Sequence, residues 1–341
     1  MTERARLLSS IVETIHDYHS MPNETHVDRW VSQFSADVQL PLLSEIDHVL
    51  KKTYFSKARV TEFLHGLLKN KELVGADSCA YWKSVGLLQI QQRGNSQREM
   101  LTIFEAELTK QCGFELHDCG KEAATFVYID DAVFSGGHAL ADLTKWIQES
   151  APGKAHVNII VIAYHRYGQW YIGEKIAEVA KRSGKVITTK WWRVFEVEDR
   201  KSQVDQSDVL RPVSLPENEG VKNYVAGLKY PVVLRKAGHA GGNGFFSGEA
   251  GRGVLEQQFL IAGVNIRARS PKLNAYQRPL GNMVLETLGF GSMLVTFRNC
   301  PNNAPLALWA GDPWYPLFPR TTNSQTESKR VIDRLLKGIS L

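Results

Sequence analysis

Apolar residues in the first 75 positions recur every three or four residues, which is the spacing of one helix face. The pattern is clearest in Val60, Phe63, Leu64, Leu67 and Leu68. It predicts helices over 5–19, 26–35, 37–52 and 57–69. Several short helices with a basic flank are typical of a small helical or winged-helix module, which we assign to residues 1–75.

From about residue 80 the pattern changes to short apolar runs alternating with amphipathic segments. The runs predict strands over 85–91, 126–130, 157–165 and 186–197. Helices are expected between them, up to about Cys112, from His138 to about Glu149, and over 171–184. This rhythm predicts an α/β fold with a parallel, Rossmann-like sheet, assigned to residues 80–320. Ligands of such sheets bind at the carboxyl ends of the strands.

The C-terminal third has a less regular pattern. Residues 238–253 contain seven glycines and predict a mobile loop, because so many glycines disfavour a helix or strand. Residues 299–320 mix prolines with aromatic residues and predict an ordered irregular wrap. The tail 321–341 predicts a short basic helix over 324–338.

Composition narrows the class of protein. The chain has 341 residues, of which 43% are hydrophobic, enough for a substantial core. It has no uncharged apolar run of about 18 residues, so a membrane span is excluded and the cytoplasm is expected. The four cysteines are too few and too scattered for a disulfide framework, which predicts free thiols.

The charge is unevenly distributed. The 41 basic and 36 acidic residues give a net charge of +5. Residues 51–71 contain six Lys or Arg residues and one acid, Glu62. This basic stretch has two interpretations, a solvated helix face or a contact with DNA or RNA.

The strongest candidate chemistry lies in FVYIDDAVFSGGH, residues 126–138. A Ser-Gly-Gly turn at a helix start presents backbone amides that favour an anion such as a phosphate. Asp130 and Asp131 would repel that phosphate, so they suit ribose hydroxyls or a magnesium ion on the same ligand. The alternative is an ordinary strand end with an acid before a helix.

An apolar strand, two acids, three variable residues, then a hydroxyl residue and glycine resemble the ribose-phosphate motif of the type I phosphoribosyltransferases. The resemblance implies that Asp130 and Asp131 form the catalytic pair that contacts the ribose hydroxyls, with Mg²⁺ bound there directly or through the ligand. It also implies that the 5′-phosphate is held by Phe134, Ser135, Gly136, Gly137 and His138.

The same family binds pyrophosphate on a loop after its first core strand, and RGNSQ occupies that place after strand 85–91. The resemblance implies that the donors are Arg93 and the amides of Gly94, Asn95, Ser96 and Gln97. A plain strand-to-helix loop is the competing interpretation, with Asn95 or Ser96 as the helix cap.

Three longer segments resemble the phosphoribosyltransferase-like effectors of bacterial conflict systems, which include retron-associated antiphage proteins. They are HVDRWVSQF…LLSEIDHVLKKTYFS, WKSVGLLQIQQRGNSQ and CPNNAPLALWAGDPWYPLFPR. This wider resemblance implies that the ligand is phosphoribosyl pyrophosphate or a related nucleotide. It also implies a role in antiphage defence and a partner protein of a defence system.

The sequence departs from the family pattern in three places. Phe134 replaces a small or polar residue that assists proton transfer in some members, and His138 replaces a threonine. Only GFELHDCGKE is available for the mobile hood, which residues 238–253 or 299–320 could replace. Three hypotheses therefore stay open: a transferase, a catalytically degenerate nucleotide sensor that contacts nucleic acid or a partner, and a nucleotide-cleaving hydrolase.

Overall fold

A computed structural model describes residues 1–120 and 123–320, so the predicted basic tail 321–341 lies outside the described residues. The helices are α1 (Glu3–Ile15), α2 (Glu24–Val31), α3 (Ala36–Thr53), α4 (Lys57–Leu68), α5 (Lys71–Val74), α6 (Ser78–Ser84), α7 (Ser96–Cys112), α8 (Gly137–Glu149), α9 (Arg166–Arg182), α10 (Glu219–Ala226), α11 (Glu249–Arg269) and α12 (Leu306–Trp309). Two 3-10 turns cover Leu116–Asp118 and Lys201–Gln206. The strands are β1 (Tyr54–Phe55), β2 (Gly86–Leu87), β3 (Thr125–Ile129), β4 (Ala132–Val133), β5 (Lys154–Ile160), β6 (Ala163–His165), β7 (Val186–Trp192), β8 (Phe195–Val197), β9 (Gln277–Arg278), β10 (Gly281–Asn282) and β11 (Val295–Thr296).

Residues 57–198 form one compact unit, and residues 1–56 with 199–320 form another. These units divide the chain differently from the predicted domains 1–75 and 80–320. Helix α4 belongs with the sheet because it packs against α7. In addition, the indole N–H of the buried Trp82 in α6 donates to the carbonyl oxygen of Leu68 at 3.1 Å.

The unit 57–198 contains the predicted parallel sheet. Four strands lie in the order β2-β3-β5-β7, and every neighbouring pair is parallel. Helices α7, α8 and α9 connect successive strands, as expected for crossover connections. The buried side chains of β3 and β5 pack with those of α8 and α9 to form the core. The predicted α/β, Rossmann-like architecture is therefore consistent with the structure.

Three of the strands break at the same level and then continue. Strands β4, β6 and β8 begin three residues after β3, β5 and β7 end, and they form a second parallel sheet in the order β4-β6-β8. Backbone bonds cross the break: the Asp130 N–H donates to Ile160, and the Ile162 N–H donates to the Asp131 carbonyl, at 3.0 and 2.9 Å. The two predicted acids therefore lie at a break inside an extended strand.

The predicted strand 85–91 is much shorter than expected. Only β2 pairs as a strand, although the Leu88 N–H still donates to Val127 at 2.9 Å. The next two backbone amides, of Ile90 and Gln91, donate instead to the side-chain oxygen of Gln97 at 2.8 and 3.0 Å. A glutamine side chain thus replaces the neighbouring strand as hydrogen-bond acceptor and ends the pairing.

The four predicted N-terminal helices are present, but a winged helix is not confirmed. A winged helix needs a β hairpin beside its helices. The strand that follows α3, β1, pairs in parallel with β11, about 240 residues later in the chain. Residues 1–56 therefore contribute three helices to a unit completed by residues 199–320.

Two expectations from composition were wrong. Part of the glycine-rich stretch is helical, since α11 begins at Glu249 and includes Gly251 and Gly253. A Cβ at Gly251 would collide with the Glu45 carboxylate of α3, so glycine allows this close approach. The structure also joins Cys79 and Cys112 in a disulfide, which leaves Cys119 and Cys300 as free cysteines. The pairing is tertiary, between α6 and the end of α7, and no local spacing indicated it.

Residues 299–320 are largely irregular and well packed, with α12 buried inside them, as the sequence predicted. None of the helices within 1–120 and 123–320 combines the length and apolar character that a membrane crossing requires.

Candidate functional site

Asp130 is buried, and three groups hydrogen-bond its carboxyl. Only 6% of its surface is exposed. One carboxyl oxygen accepts the Asp131 N–H at 2.8 Å, and the other lies 3.1 Å from the Tyr128 hydroxyl. The Ser96 hydroxyl, from the predicted pyrophosphate loop, also hydrogen-bonds this carboxyl. The loop and the acid pair, which are 34 residues apart in the sequence, therefore meet.

Burial, and after it the neighbouring charge of Asp131, raise the pKa of Asp130 to about 7. The hydrogen bonds from Ser96, Asp131 and Tyr128 oppose that shift only in part. An aspartate whose pKa rises this far holds its proton well above the range of an ordinary carboxyl. Asp130 is thus a proton-holding group near neutral pH.

Asp131 differs from its neighbour because its side chain is only half-buried. One of its carboxyl oxygens accepts the N–H of Ala132 at 2.7 Å. The side chain is therefore partly exposed to solvent, whereas that of Asp130 is buried. The two adjacent acids are therefore not equivalent.

Magnesium fits this pair in a limited way. Mg²⁺ is usually held by one or two carboxylates together with water and substrate phosphates. Within the described residues, no group of three or more His, Cys, Asp or Glu side chains is placed to hold a metal ion. The donors present suit a magnesium ion that arrives on a phosphate ligand and contacts Asp131, not one held by protein side chains alone.

The predicted phosphate turn, residues 134–138, packs tightly on helix α9. Gly136 has φ +79°, and a Cβ there would lie 2.7 Å from Ile172. A Cβ on Gly168 of α9 would collide with the carbonyl oxygen of Phe134. The ring of Phe134 meets the buried His165 edge to face, with centroids 5.1 Å apart. Two close approaches at glycines and one aromatic contact therefore fix the face of the turn that packs on α9.

The other face of the turn is open. Ser135, Gly137 and His138 are exposed, and the Gly137 N–H points to the Ser135 hydroxyl at 3.5 Å. Helix α8 begins here without a side-chain cap. The first amides of a helix have no acceptor within the helix, so this end presents N–H groups and a positive dipole to a ligand. A phosphate suits that surface.

The predicted pyrophosphate loop, residues 93–97, divides into an exposed and a buried part. Arg93, Gly94 and Asn95 are exposed, and Asn95 precedes α7 without a side-chain cap bond. The Gln97 side chain is buried, and its backbone N–H already donates to the Gln91 side chain at 3.1 Å. Gln97 therefore organises the loop from inside, and the exposed amides and Arg93 form the surface that a ligand meets.

Sequence reasoning missed Tyr128 and Asp142, which connect the two halves of the site. Tyr128 is fully buried in β3, and its hydroxyl lies 3.3 Å from the Asp142 carboxyl as well as near Asp130. Asp142 also accepts the backbone N–H of Gln92, just before the loop, at 3.0 Å. One signal was available: Asp142 is an acid on the buried face of the amphipathic helix α8.

Other predicted features lie elsewhere. The basic stretch 51–71 spans the end of α3 and all of α4, and the boundary between the two units falls inside it. The two candidate hood replacements, 238–253 and 299–320, belong to the unit that does not contain the site. A shallow groove between α4 and α7 includes His65 and Glu107, about 16 Å along α7 from its first residue. It shares no residue with the site.

The arrangement combines three features at one edge of a parallel sheet: an open helix N-terminus, an exposed loop with an arginine, and a half-buried carboxylate. A ligand that carries phosphate groups and hydroxyls matches this set of features. The family model named PRTase-CE matches residues 27–320. No curated protein and no solved structure matches the chain.

Proposed function

Because the chain belongs to the PRTase-CE family, a phosphoribosyltransferase-like family, we propose that it binds phosphoribosyl pyrophosphate or a related nucleotide together with Mg²⁺. The 5′-phosphate contacts the turn 134–138, and the diphosphate contacts Arg93 and the exposed amides of its loop. Asp131 faces the ribose hydroxyls and the magnesium ion.

One observation carries the proposal: the loop before α7 and the acid pair after β3 contact each other. Ser96 hydrogen-bonds Asp130, and Gln92 donates to Asp142 on the helix that begins at the phosphate turn. Because β2 and β3 are neighbouring parallel strands, their carboxyl ends lie at the same edge of the sheet, and these contacts tie the loop to the acid pair there. A ligand that spans a phosphate and a diphosphate needs both groups at one edge.

If the bound ligand reacts, an acceptor nucleophile forms a bond to C1′ of the ribose while the bond from C1′ to the pyrophosphate oxygen breaks. Negative charge builds on the leaving diphosphate, and Arg93, the exposed amides and the dipole of α7 stabilise it. Magnesium, when bound with the ligand, supplies further charge neutralisation. Asp131 orients the ribose through its hydroxyls.

A catalytically inactive nucleotide sensor is the second candidate, and a specific observation favours it. Both oxygens of the Asp130 carboxyl contact donors within the protein, and the side chain is buried, so this acid does not present itself to a substrate as a general base. Phe134 has no proton to transfer. A hydrolase would use water as the acceptor and release ribose phosphate without an added base, which a product assay distinguishes.

Calorimetry tests the proposal. We expect wild-type protein with Mg²⁺ to bind phosphoribosyl pyrophosphate with about −8 kcal/mol, a micromolar Kd. Asp131→Ala should lose this binding and keep its circular dichroism spectrum, since the side chain is half-buried and faces outward. The matched control is Glu149→Ala, which removes an exposed acid from α8. Equal binding by both variants would contradict the placement of the ribose.

A second titration separates the two ends of the ligand. Arg93→Ala should weaken phosphoribosyl pyrophosphate at least tenfold, because an exposed charge–diphosphate contact is removed. The same variant should bind ribose 5-phosphate as wild type does. An equal loss of affinity for both ligands would contradict the proposed contact between the diphosphate and this loop.

We further propose that the protein is an effector in bacterial antiphage defence and acts with a partner protein of that system. The support is the resemblance of three long segments to such effectors. The basic stretch 51–71 is the proposed contact for DNA or RNA. Phage plating on cells that carry the complete system with Asp131→Ala, beside Glu149→Ala, tests whether the ligand site serves that role.

A further inference from the structure

Two glutamines, here called the glutamine clasp, close the loop 93–97 at its base. The backbone N–H of Gln97 donates to Gln91 Oε1 at 3.1 Å, and the backbone N–H of Gln91 donates to Gln97 Oε1 at 3.0 Å. The N–H of Ile90 donates to the same Gln97 oxygen at 2.8 Å. Gln97 is buried and Gln91 is half-buried. The chain therefore enters and leaves the loop through one closed ring of hydrogen bonds.

The backbone donors fix the direction in which each side-chain amide of the clasp points. A backbone N–H can only donate, so the side-chain oxygens of both glutamines must face the clasp. The nitrogen Gln91 Nε2 is then directed to Ser96, and it donates to the hydroxyl oxygen there at 2.8 Å. A serine hydroxyl has a single hydrogen. Since the Ser96 oxygen accepts from Gln91, its hydrogen is left for the carboxyl of Asp130, which Ser96 also hydrogen-bonds.

The exposed part of the loop folds back over the same side chain. Gly94 has φ +87°, a conformation that favours glycine, and a Cβ there would lie 3.5 Å from Gln91 Nε2. Arg93 and Asn95 on either side of it are exposed. Gln91 thus supports the loop at its base, under its middle residue and at the serine that begins α7.

We propose that Gln91 is a positioning residue of the site: it holds the loop 93–97 in its binding conformation before a ligand arrives, and it directs the hydroxyl of Ser96 to Asp130. A loop that is already ordered loses little conformational freedom on binding, which favours affinity. The role of the loop as a diphosphate contact rests on the proposed function. The clasp does not, since it consists of contacts within the protein.

Hydrogen exchange of the ligand-free protein, measured for single amides by NMR, tests the clasp. The Gln97 amide should exchange slowly, although it lies in the first turn of α7, where a helix supplies no acceptor. The exposed Gly94 amide should exchange fast. Gln91→Met keeps the length of the side chain without its amide and should speed exchange at Gln97 at least about tenfold. Gln91→Glu keeps an oxygen for this N–H and should restore slow exchange.

The matched control is Gln111→Met. Gln111 lies near the other end of α7, where its Nε2 donates to the hydroxyl of Ser78 at 3.2 Å. This variant removes the same kind of hydrogen bond away from the loop, so exchange at Gln97 and ligand affinity should stay as in wild type.

Two results would overturn the clasp: a Gln97 amide that exchanges fast in the wild type, or slow exchange that Gln91→Met does not change. If that variant does not fold, the wild-type measurement still decides, and the reciprocal variant Gln97→Met adds a second test. It removes the acceptor of two amides and should speed exchange at Ile90 and Gln91. Unchanged exchange at both would contradict the clasp.

The positioning role has a readout that a loss of stability alone would not change. We expect Gln91→Met to bind phosphoribosyl pyrophosphate at least about tenfold more weakly than wild type, with Mg²⁺ present. It should bind ribose 5-phosphate as wild type does, because that ligand uses the turn 134–138 and not the loop. An unchanged ratio of the two affinities would overturn the positioning role.

Failure of this inference can be told apart from failure of the proposed function. Slow exchange at Gln97 in a wild-type protein that binds no phosphoribosyl pyrophosphate would leave the clasp standing and remove the function. Binding of that ligand by a protein whose Gln97 amide exchanges fast until the ligand is added would leave the function standing and remove this inference.

Discussion

At the scale of single residues, two adjacent acids have opposite environments. Asp130 faces the core, where its carboxyl is held by Tyr128, Ser96 and a backbone N–H, while Asp131 remains half-exposed. Neighbouring side chains of an extended strand point to opposite sides, which explains the difference. The pair therefore combines one positioning acid with one acid available to a ligand.

The contact of Gly168 with the phosphate turn gives a prediction at this scale. Gly168→Ala places a methyl group against the carbonyl oxygen of Phe134 and should cost about 1–3 kcal/mol in the free energy of unfolding. It should also weaken ligand binding, because the turn must move. Urea unfolding and calorimetry measure the two effects.

Gly173→Ala on the same helix is the matched control. A Cβ at Gly173 meets no atom within 4 Å, so this variant should gain up to about 1 kcal/mol from helix propensity. If the two variants unfold at the same urea concentration, the close approach of α9 to the turn is not a constraint on the site.

At the scale of elements, helix α7 connects the site to the disulfide. It begins at Ser96, which contacts Asp130, and ends at Cys112, which is bonded to Cys79 of α6. Both cysteines are half-buried, and the disulfide lies at the opposite end of α7 from the ligand loop. Its main expected effect is on the unfolded chain, because it closes a long loop.

The disulfide leads to a stability prediction. It spans a sequence separation of 33, and Cys79→Ser should lower the free energy of unfolding by about 3–4 kcal/mol. Reductant should destabilise wild type to the same level and leave the variant unchanged. Cys119→Ser is the control, since Cys119 is a free cysteine. Equal stability of Cys79→Ser and wild type without reductant would contradict the pairing.

Most helices and strands of the site were predictable from periodicity, and their ends were not. The apolar run 126–130 matches β3 closely, because successive apolar side chains leave a clear pattern. The run 85–91 looked equally strand-like, yet Gln97 captures two of its amides and ends β2 after two residues. A long-range side-chain acceptor of this kind leaves no periodic signal.

At the scale of the whole molecule, the chain forms two compact units with different chain connectivity. The unit 57–198 is one continuous segment and contains the parallel sheet and the candidate site. The other combines residues from both ends of the described chain. Helix α4 falls in the continuous unit, although its sequence pattern groups it with the N-terminal helices.

This division predicts how fragments behave. Residues 57–198 expressed alone should unfold cooperatively, because the segment contains its own core. A fragment of residues 80–198, which begins at the predicted domain, should be less stable. It lacks α4, which packs on α7, and the Leu68 carbonyl that accepts the Trp82 N–H. Circular dichroism during urea unfolding compares the two, and equal stability would favour the predicted boundary.

The sequence by itself determined the α/β class, the alternation of strands and helices along the chain, and the candidate motif 126–138. These features depend on local periodicity and on the residue types at neighbouring positions in the sequence. Only the tertiary structure decided that α4 joins the sheet, that Cys79 pairs with Cys112, and that Tyr128 and Asp142 connect the acid pair to the loop. Each of these depends on contacts between residues far apart in the chain. Such contacts leave no periodic pattern in the local sequence.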